Sequence, residues 1–432
     1  MWLPTIFMSS YCLLGVSFVL PNSLSHEDGE IHAVIAVGSD EDYRHQADAC
    51  HAYHVLREHG VKEENIIQLN YDNIANDASA RFPGTLYNHP NLTRNYYEGC
   101  KIDYRAEQVT VDNFLNALSG KPSSSGPVLN TTANDRVFVY FVDHGGPGYV
   151  NFPREELSAH QLNKTIAEMT ENKKYKELVF YVEACFSGSV FENTAPYYKD
   201  LYVITAANDH EPSSATYWSE EVMEYLGDEF SVAWMEFSDA NDLHMTTLQD
   251  EYENVKRRTT TSHAQQFGSK KIAEETIDEF QGGEGGNLLD REPIEFVAEQ
   301  GTTDPALSRM QRLLETHTSN GNDQEAAKLH KEIDSLLTNR KIAEVDINGF
   351  IKKVVTTKEL RELTSEHKPI KDYQCHHDVI TYFSEHCYKL SDNPYIAKFM
   401  HKIISLCYAM TSDEIVGLLK SHWQERRNVK VL

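Results

Sequence analysis

The sequence predicts an α/β protein in which a mainly parallel sheet, flanked by helices, precedes a helical C-terminal region. Three observations predict it. From about residue 31, short β-branched or aromatic runs alternate with longer amphipathic stretches, the pattern of βα units. A Gly-rich, acidic stretch at 280–292 then breaks that pattern. Beyond it, apolar residues recur at helical spacing.

Residues 2–20, WLPTIFMSSYCLLGVSFVL, are uncharged and mostly apolar, and Pro21 and small residues follow. This predicts a signal peptide over 1–25, although the usual Lys or Arg at its start is missing. A membrane anchor is the competing reading, disfavoured because the run is short and interrupted by Ser and Pro. Strands are expected at 31–37 (IHAVIAV), 66–70 (IIQLN), 137–142 (VFVYFV), 178–183 (LVFYVE) and 201–206 (LYVITA), and helices at 45–59, 111–118 and 158–170. After the Gly-rich break, Leu307, Met310, Leu313 and Leu314 share one helical face, as do Leu329, Ile333, Leu336 and Leu337. The polar stretch Thr316–Asp323 between them reads as a linker open to nicking. Helical patterns continue over 341–423. The expected division is signal peptide 1–25, α/β domain 26–285, linker 286–340 and helical C-terminal domain 341–432.

The 432 residues, 40% hydrophobic and 25% charged, suffice for one or two domains with buried cores and exclude a disordered or fibrous chain. Forty Lys and Arg against 66 Asp and Glu give a net charge of −26, which argues against nucleic acid as a partner. The charge is uneven. Residues 341–432 carry 14 basic and 12 acidic side chains, or +2, which leaves −28 for residues 1–340. A modestly basic cap on an acidic domain implies attraction at neutral pH that loosens near pH ~4–5 as carboxylates protonate. Asn91, Asn130 and Asn163 each begin an Asn-x-Ser/Thr sequon, consistent with entry into the secretory pathway.

In parallel sheets reactive groups gather beyond the carboxyl ends of the strands. There the third expected strand ends in Asp143-His144-Gly145-Gly146, and the fourth runs into Glu183-Ala184-Cys185-Phe186-Ser187-Gly188. If the two strands are neighbours, His144 and Cys185 emerge side by side. That arrangement suits a cysteine nucleophile, with an imidazole partner and backbone N–H groups to hold an oxyanion. Singly, a strand-end His is ordinarily a surface or core residue and a lone Cys a small buried apolar one; matched topology makes the pair point to catalysis.

The blocks YRHQADACHAY at 43–53, YFVDHG at 140–145, YVEACFSGS at 181–189, TAAN at 205–208 and YLGDEFSVAWME at 225–236 resemble, in that order, the legumain family of asparaginyl endopeptidases, clan relatives of the caspases. The resemblance implies a caspase-like sheet, His144 and Cys185 as the catalytic pair, and the amides of Gly145 and Cys185 as the oxyanion hole. It assigns the pocket for the residue before the scissile bond to Arg44, His45, Glu183, Ser213 and Asp228. The chemistry agrees, because an asparagine side chain needs a donor such as Arg44 for its oxygen and carboxylates such as Glu183 and Asp228 for its NH₂.

The same resemblance implies a zymogen capped by its C-terminal prodomain and cut after Asn322, with Asn320 the alternative. It also implies protein or peptide substrates with Asn at the cleaved bond, cystatin-type inhibitors as possible partners, and an endolysosomal or secreted location. A ligase on the same scaffold is the competing enzyme, and a catalytically silent binding module the competing non-enzyme. Family members usually carry Asn where Asp42 stands, Glu where Phe186 stands, and four C-terminal cysteines; here three remain, and the implied bridge is Cys375–Cys407 with Cys387 unpaired. No cofactor or metal centre is expected, since Cys375-His376-His377 has no second ligand cluster to complete a site.

Overall fold

A computed structural model of the protein describes residues 29–78, 80–283, 301–365, 367–424 and 431. The expected signal peptide and the junction at 285/286 lie outside them. In chain order the strands are β1 (Ile31–Val37), β2 (Ile66–Leu69), β3 (Arg136–Val142), β4 (Gly145–Gly146), β5 (Tyr149–Phe152), β6 (Glu155–Ser158), β7 (Glu177–Glu183), β8 (Leu201–Thr205), β9 (Ala215–Ser219), β10 (Glu224–Asp228) and β11 (Gln265–Gly268). Six of them build one sheet in the order β11-β8-β7-β3-β1-β2, parallel except for β11, which runs antiparallel to β8 at the edge.

The central strands are near-continuous apolar runs because both faces of the sheet are covered. Successive side chains serve opposite faces. Ile35, Phe138, Tyr140 and Tyr181 pack under Trp234 with the helices Tyr43–Glu58, Glu229–Ala240 and Leu248–Arg258. Val34, Val139, Phe141 and Phe180 pack on the other face against the helices Val111–Ser119 and Ala159–Glu171. The mainly parallel, helix-flanked sheet predicted from sequence is therefore present. The antiparallel pieces β4–β6 and β9–β10, the edge strand β11 and the helices at 229–240 and 248–258 were not predicted.

Beyond residue 300 the chain is helical. Pro305–Ser319 and Asp323–Val354 form a hairpin, and Tyr373–His386, Ala397–Ile404 and Ser412–His422 gather around Ile347, Phe350, Phe383, Met400 and Trp423. The two helical segments expected on either side of 340 are one helix, so the expected boundary at 340/341 falls inside it. The reason is local: no Gly or Pro interrupts the chain from Gln324 to Asn348. This bundle rests on the β4–β6 meander, where His376 Nε2 donates to the Pro147 carbonyl at 2.8 Å and the Ser384 hydroxyl donates to Glu156 at 2.7 Å.

Candidate active site

The β3–β7 register pairs Val142 with Glu183, and Asp143 N–H continues the ladder by donating to the Glu183 carbonyl at 3.0 Å. His144 and Cys185 thus leave adjacent strands two residues beyond the same rung. Gly145 lies so close behind that a Cβ there would stand 2.7 Å from the Cys185 carbonyl oxygen. A side chain at 145 is excluded by backbone, which is the physical reason for glycine. The Ser213 hydroxyl lies 3.8 Å from the Cys185 sulfur. Burial pushes the Cys185 thiol up to about 11.

The helix Tyr43–Glu58 supplies the other wall. Its N-cap residue is Asp42, whose carboxylate makes no cap bond and instead meets His144 Nε2 at 2.9 Å. The Ser39 hydroxyl donates to the same carboxylate at 3.0 Å, and Arg44 pairs with it through one terminal guanidinium nitrogen. Arg44 Nε donates to Asp228 at 2.9 Å, so the guanidinium bridges Asp42 and Asp228 and keeps its charge although it is buried. His45 lies behind, with Nδ1 3.3 Å from Asp143 and Nε2 3.5 Å from Asp228. Burial and the neighbouring Arg44 charge hold its imidazole well below the usual range, hence neutral.

The carboxyls differ. Burial and the Asp228 charge push Glu183 well above its ordinary value, while Ser213 and Arg44 pull the other way. Asp228 is raised as well, by burial, less strongly because Arg44 offsets it. Asp42 is held well below the ordinary range because Arg44 and His144 outweigh its burial. For His144, burial alone would lower the imidazole, but Asp42 outweighs it and the value is raised. Every side chain that the sequence assigned to the site therefore converges on one cavity of about 530 Å³.

A sequence model described as the Peptidase C13 family matches residues 31–283, and one described as "Legumain, prodomain" matches residues 331–419. The chain belongs to the peptidase C13 family. It is 37% identical over 420 residues to the legumain of Rattus norvegicus, an alignment covering 94% of this chain and 95% of that one. It is 34% identical over 385 residues to the hemoglobinase of Schistosoma mansoni, covering 88% of each. A crystal structure of caspase-1 from Spodoptera frugiperda aligns with 56% of this chain and 88% of that chain at 10% identity and a TM-score of 0.34; the fold assignment rests on strand order instead. As a C13 peptidase the chain is a cysteine peptidase, a hydrolase, and it carries a prodomain.

The prodomain side roofs the cavity. Thr302 pairs with Ala215 through two backbone hydrogen bonds of 2.9 and 3.0 Å. Asp304 is anchored by Arg340 at 3.0 Å, and Arg309 Nε donates to Glu224 at 2.7 Å. Asn322 and Asn320 stand exposed at the tip of the 305–354 hairpin, on either side of Gly321. Asn91 and Asn130 are exposed; Asn163 is half-buried in a helix, its side-chain oxygen accepting from the Tyr198 hydroxyl at 2.8 Å. Cys375 and Cys407 are bridged and Cys387 is a buried thiol. His376 and His377 turn to Pro147 and Ser158, so the Cys375-His376-His377 run forms no common ligand set.

Two features escaped the sequence reading. Cys50 and Cys100 form a second bridge, which ties the helix bearing Arg44 and His45 to the long segment that follows β2. Asp48, buried and raised well above its ordinary value by burial and the Asp228 charge, accepts from Asn88 at 2.6 Å and from Asp228 N–H at 3.2 Å. Its signal was available: it follows Arg44 by four residues, the spacing of one helix face.

Proposed function

We propose that the chain is an endopeptidase that cleaves after asparagine, and after aspartate at low pH, with Cys185 as nucleophile and His144 as its proton partner. The observation that carries this reading is the Arg44 guanidinium, fixed by Asp42 and Asp228 at the cavity wall beside a Glu183 carboxyl of raised pKa. Arg44 offers a donor to the side-chain oxygen of an asparagine, while Glu183 and Asp228 accept from its NH₂, with His45 and Ser213 closing the pocket. An uncharged side chain of that length satisfies all of these partners at once.

In the reaction, the Cys185 proton passes to His144 and the sulfur attacks the carbonyl carbon. The amides of Gly145 and Cys185 hold the oxyanion. Collapse expels the amine, which takes its proton from His144, and leaves a thioester. Water, deprotonated by His144, then releases the acid and restores the thiol. Ligation differs only in an amine replacing that water.

Latency belongs to the same reading. The Thr302–Ala215 pairing occupies a backbone edge beside Ser213 that an extended substrate would use, and Asn322, with Asn320 as the alternative, is the activating cut. The proposed domains are a signal peptide 1–25, a catalytic domain 26–285, an activation segment 286–340 and a prodomain 341–432. A secretory route to an endolysosomal or external compartment, glycans at Asn91 and Asn130 ahead of Asn163, and cystatin-type inhibitors complete the proposal. The test is hydrolysis of fluorogenic peptides ending in Asn, Asp, Gln or Lys by acid-treated protein, with Cys185→Ala as control. Equal rates on Asn and Gln peptides would sink the specificity, and activity in Cys185→Ala would sink the nucleophile.

A further inference from the structure

Beside the candidate dyad, one ligand atom from each of Asp42, His45 and His144 lies within 4.8 Å of the others. Asp42 Oδ2 stands 2.9 Å from His144 Nε2 and 3.9 Å from His45 Nδ1. A zinc ion bonded at about 2.0–2.1 Å in tetrahedral geometry holds its ligand atoms roughly 3.4 Å apart, a value between those two separations. The His45 and His144 rings stand edge to face with centroids 5.2 Å apart, so side-chain rotation must draw these two donors together on binding.

A second, independent feature points to a ligand. His45 is buried, its side chain 2% exposed, and Nδ1 has no hydrogen-bond partner among the described residues. It faces Asp42 and Asp143, and Asp143 Oδ1, 3.3 Å away, is likewise without one. A buried nitrogen left unsatisfied is costly, and native structures seldom tolerate it without an ion or water to fill the place. The outer contacts are those of a metal histidine: Nε2 of His45 lies 3.5 Å from Asp228, and Asp42 is itself held by Ser39 and Arg44.

We propose that Asp42, His45 and His144 form a zinc site through which Zn²⁺ reversibly silences the peptidase by claiming the nitrogen of His144. Two imidazoles and one carboxylate suit zinc, as they do other imidazole-binding transition metals, and not the oxygen-seeking calcium or magnesium. The fourth position opens to the cavity, where water completes the shell. On binding, an imidazolium His144 releases its Nε2 proton to solvent, while a neutral one shifts that proton to Nδ1; in either case the ring is left protonated on Nδ1, so it can no longer accept the Cys185 proton, and the Nε2···Asp42 hydrogen bond becomes two metal bonds. Arg44 limits the affinity: its guanidinium sits on Asp42 Oδ1 and repels a cation, so the site is a reversible one and not a structural zinc. The silencing rests on His144 serving Cys185 as proposed above; the binding does not.

Binding is therefore measured on the inactive full chain. Calorimetric titration of Cys185→Ala with zinc chloride at neutral pH should give one site per chain, with the affinity of the wild-type chain. Adding His45→Gln or Asp42→Asn should weaken it by about tenfold or more, with melting temperatures recorded for each. If His45→Gln fails to fold, Asp42→Asn, a partly exposed position, carries the comparison. Loss of binding in Cys185→Ala overturns the proposal, because the thiol would then be a ligand. Unchanged affinity in the ligand variants overturns it too, because zinc would then sit on other histidines. Inhibition of the wild-type peptidase by zinc and its recovery on chelation test the silencing separately.

Discussion

The Asp42 carboxylate lies 2.9 Å from His144 Nε2 although it occupies the N-cap position of the helix Tyr43–Glu58 and gives that helix no cap bond. An N-cap Asp ordinarily accepts from the second or third helical N–H and stabilises the helix by about 1 kcal/mol. Here that contribution is given up, and the charge serves His144 and Arg44 instead.

Asp42→Asn should therefore leave the helix end as it is, since Asn and Asp cap alike, but weaken catalysis. Burial pulls the His144 imidazole down and Asp42 more than offsets it, so the imidazolium survives to higher pH than an ordinary histidine. An amide accepts the same hydrogen bond without the charge. Because His144 must be neutral to accept the Cys185 proton, its pKa sets the acid limb of kcat/KM; that limb should move lower once the charge is gone, with kcat reduced by about tenfold and the melting temperature little changed. A pH–rate profile with an unmoved acid limb would show that Asp42 only fills space.

Much of this site was legible because it lies at strand ends. VFVYFV and LVFYVE announce buried parallel strands, and His144 and Cys185 follow them at equal offset. Arg44, Glu183 and Asp228 were recognisable only by resemblance, since a charged residue has no sequence mark that separates burial from solvation. The Cys50–Cys100 bridge was illegible because pairing depends on a loop packing that no local pattern encodes. The β9–β10 hairpin was missed because its turn, Glu220–Met223, lacks the Asn-Gly or Asp-Gly signal.

Specificity should depend on pH. An aspartate at the cleaved bond brings its charge to Glu183, which burial and Asp228 raise well above 4.5. A raised carboxyl remains protonated above its ordinary value, so aspartate should be accepted from a higher pH than reference carboxyl values near 4 imply. The ratio of kcat/KM for Asp over Asn peptides should rise steadily as pH falls, with Glu183→Gln flattening the rise. A constant ratio in the wild-type enzyme would remove Glu183 from the pocket.

Maturation after Asn322 should be intermolecular. Met310 lines the cavity, whereas Asn320 lies ten residues further along the hairpin, roughly 15 Å at 1.5 Å per residue. The exposed tip is thus held away from its own Cys185. The rate of appearance of a fragment ending at Asn322, followed by mass spectrometry, should rise with protein concentration, and active enzyme should cleave a Cys185→Ala chain. A concentration-independent rate would mean that the hairpin first unfolds onto its own site.

The cap itself should open in acid through histidines, against a carboxylate that works the other way. Glu156 accepts from Ser384 and from Ser391 N–H beneath the prodomain, and burial raises it from 4.5 to about 7. A carboxyl raised on closure takes up a proton as the cap binds, so Glu156 strengthens closure as pH falls from 7 to 4.5, the reverse of the loosening that overall charge suggests. His376, donating to Pro147, is lowered by burial from 6.5 to about 4. It must stay neutral in the closed form, so its contribution is complete above 6.5 and is lost as pH falls toward 4. Each shift is worth on the order of 3 kcal/mol, and the two nearly cancel. The balance falls to His377, stacked on His160 across the contact, and to His367, which lies between His210 and His401; burial lowers His377, His367 and His401. Hydrogen exchange of the β4–β6 meander in the full Cys185→Ala chain reads the opening. His376→Gln should keep it protected to lower pH. Glu156→Gln should protect it more at neutral pH and leave it unchanged near pH 4.5, which steepens the opening. The same opening curve in both variants would exclude these two groups as the sensors.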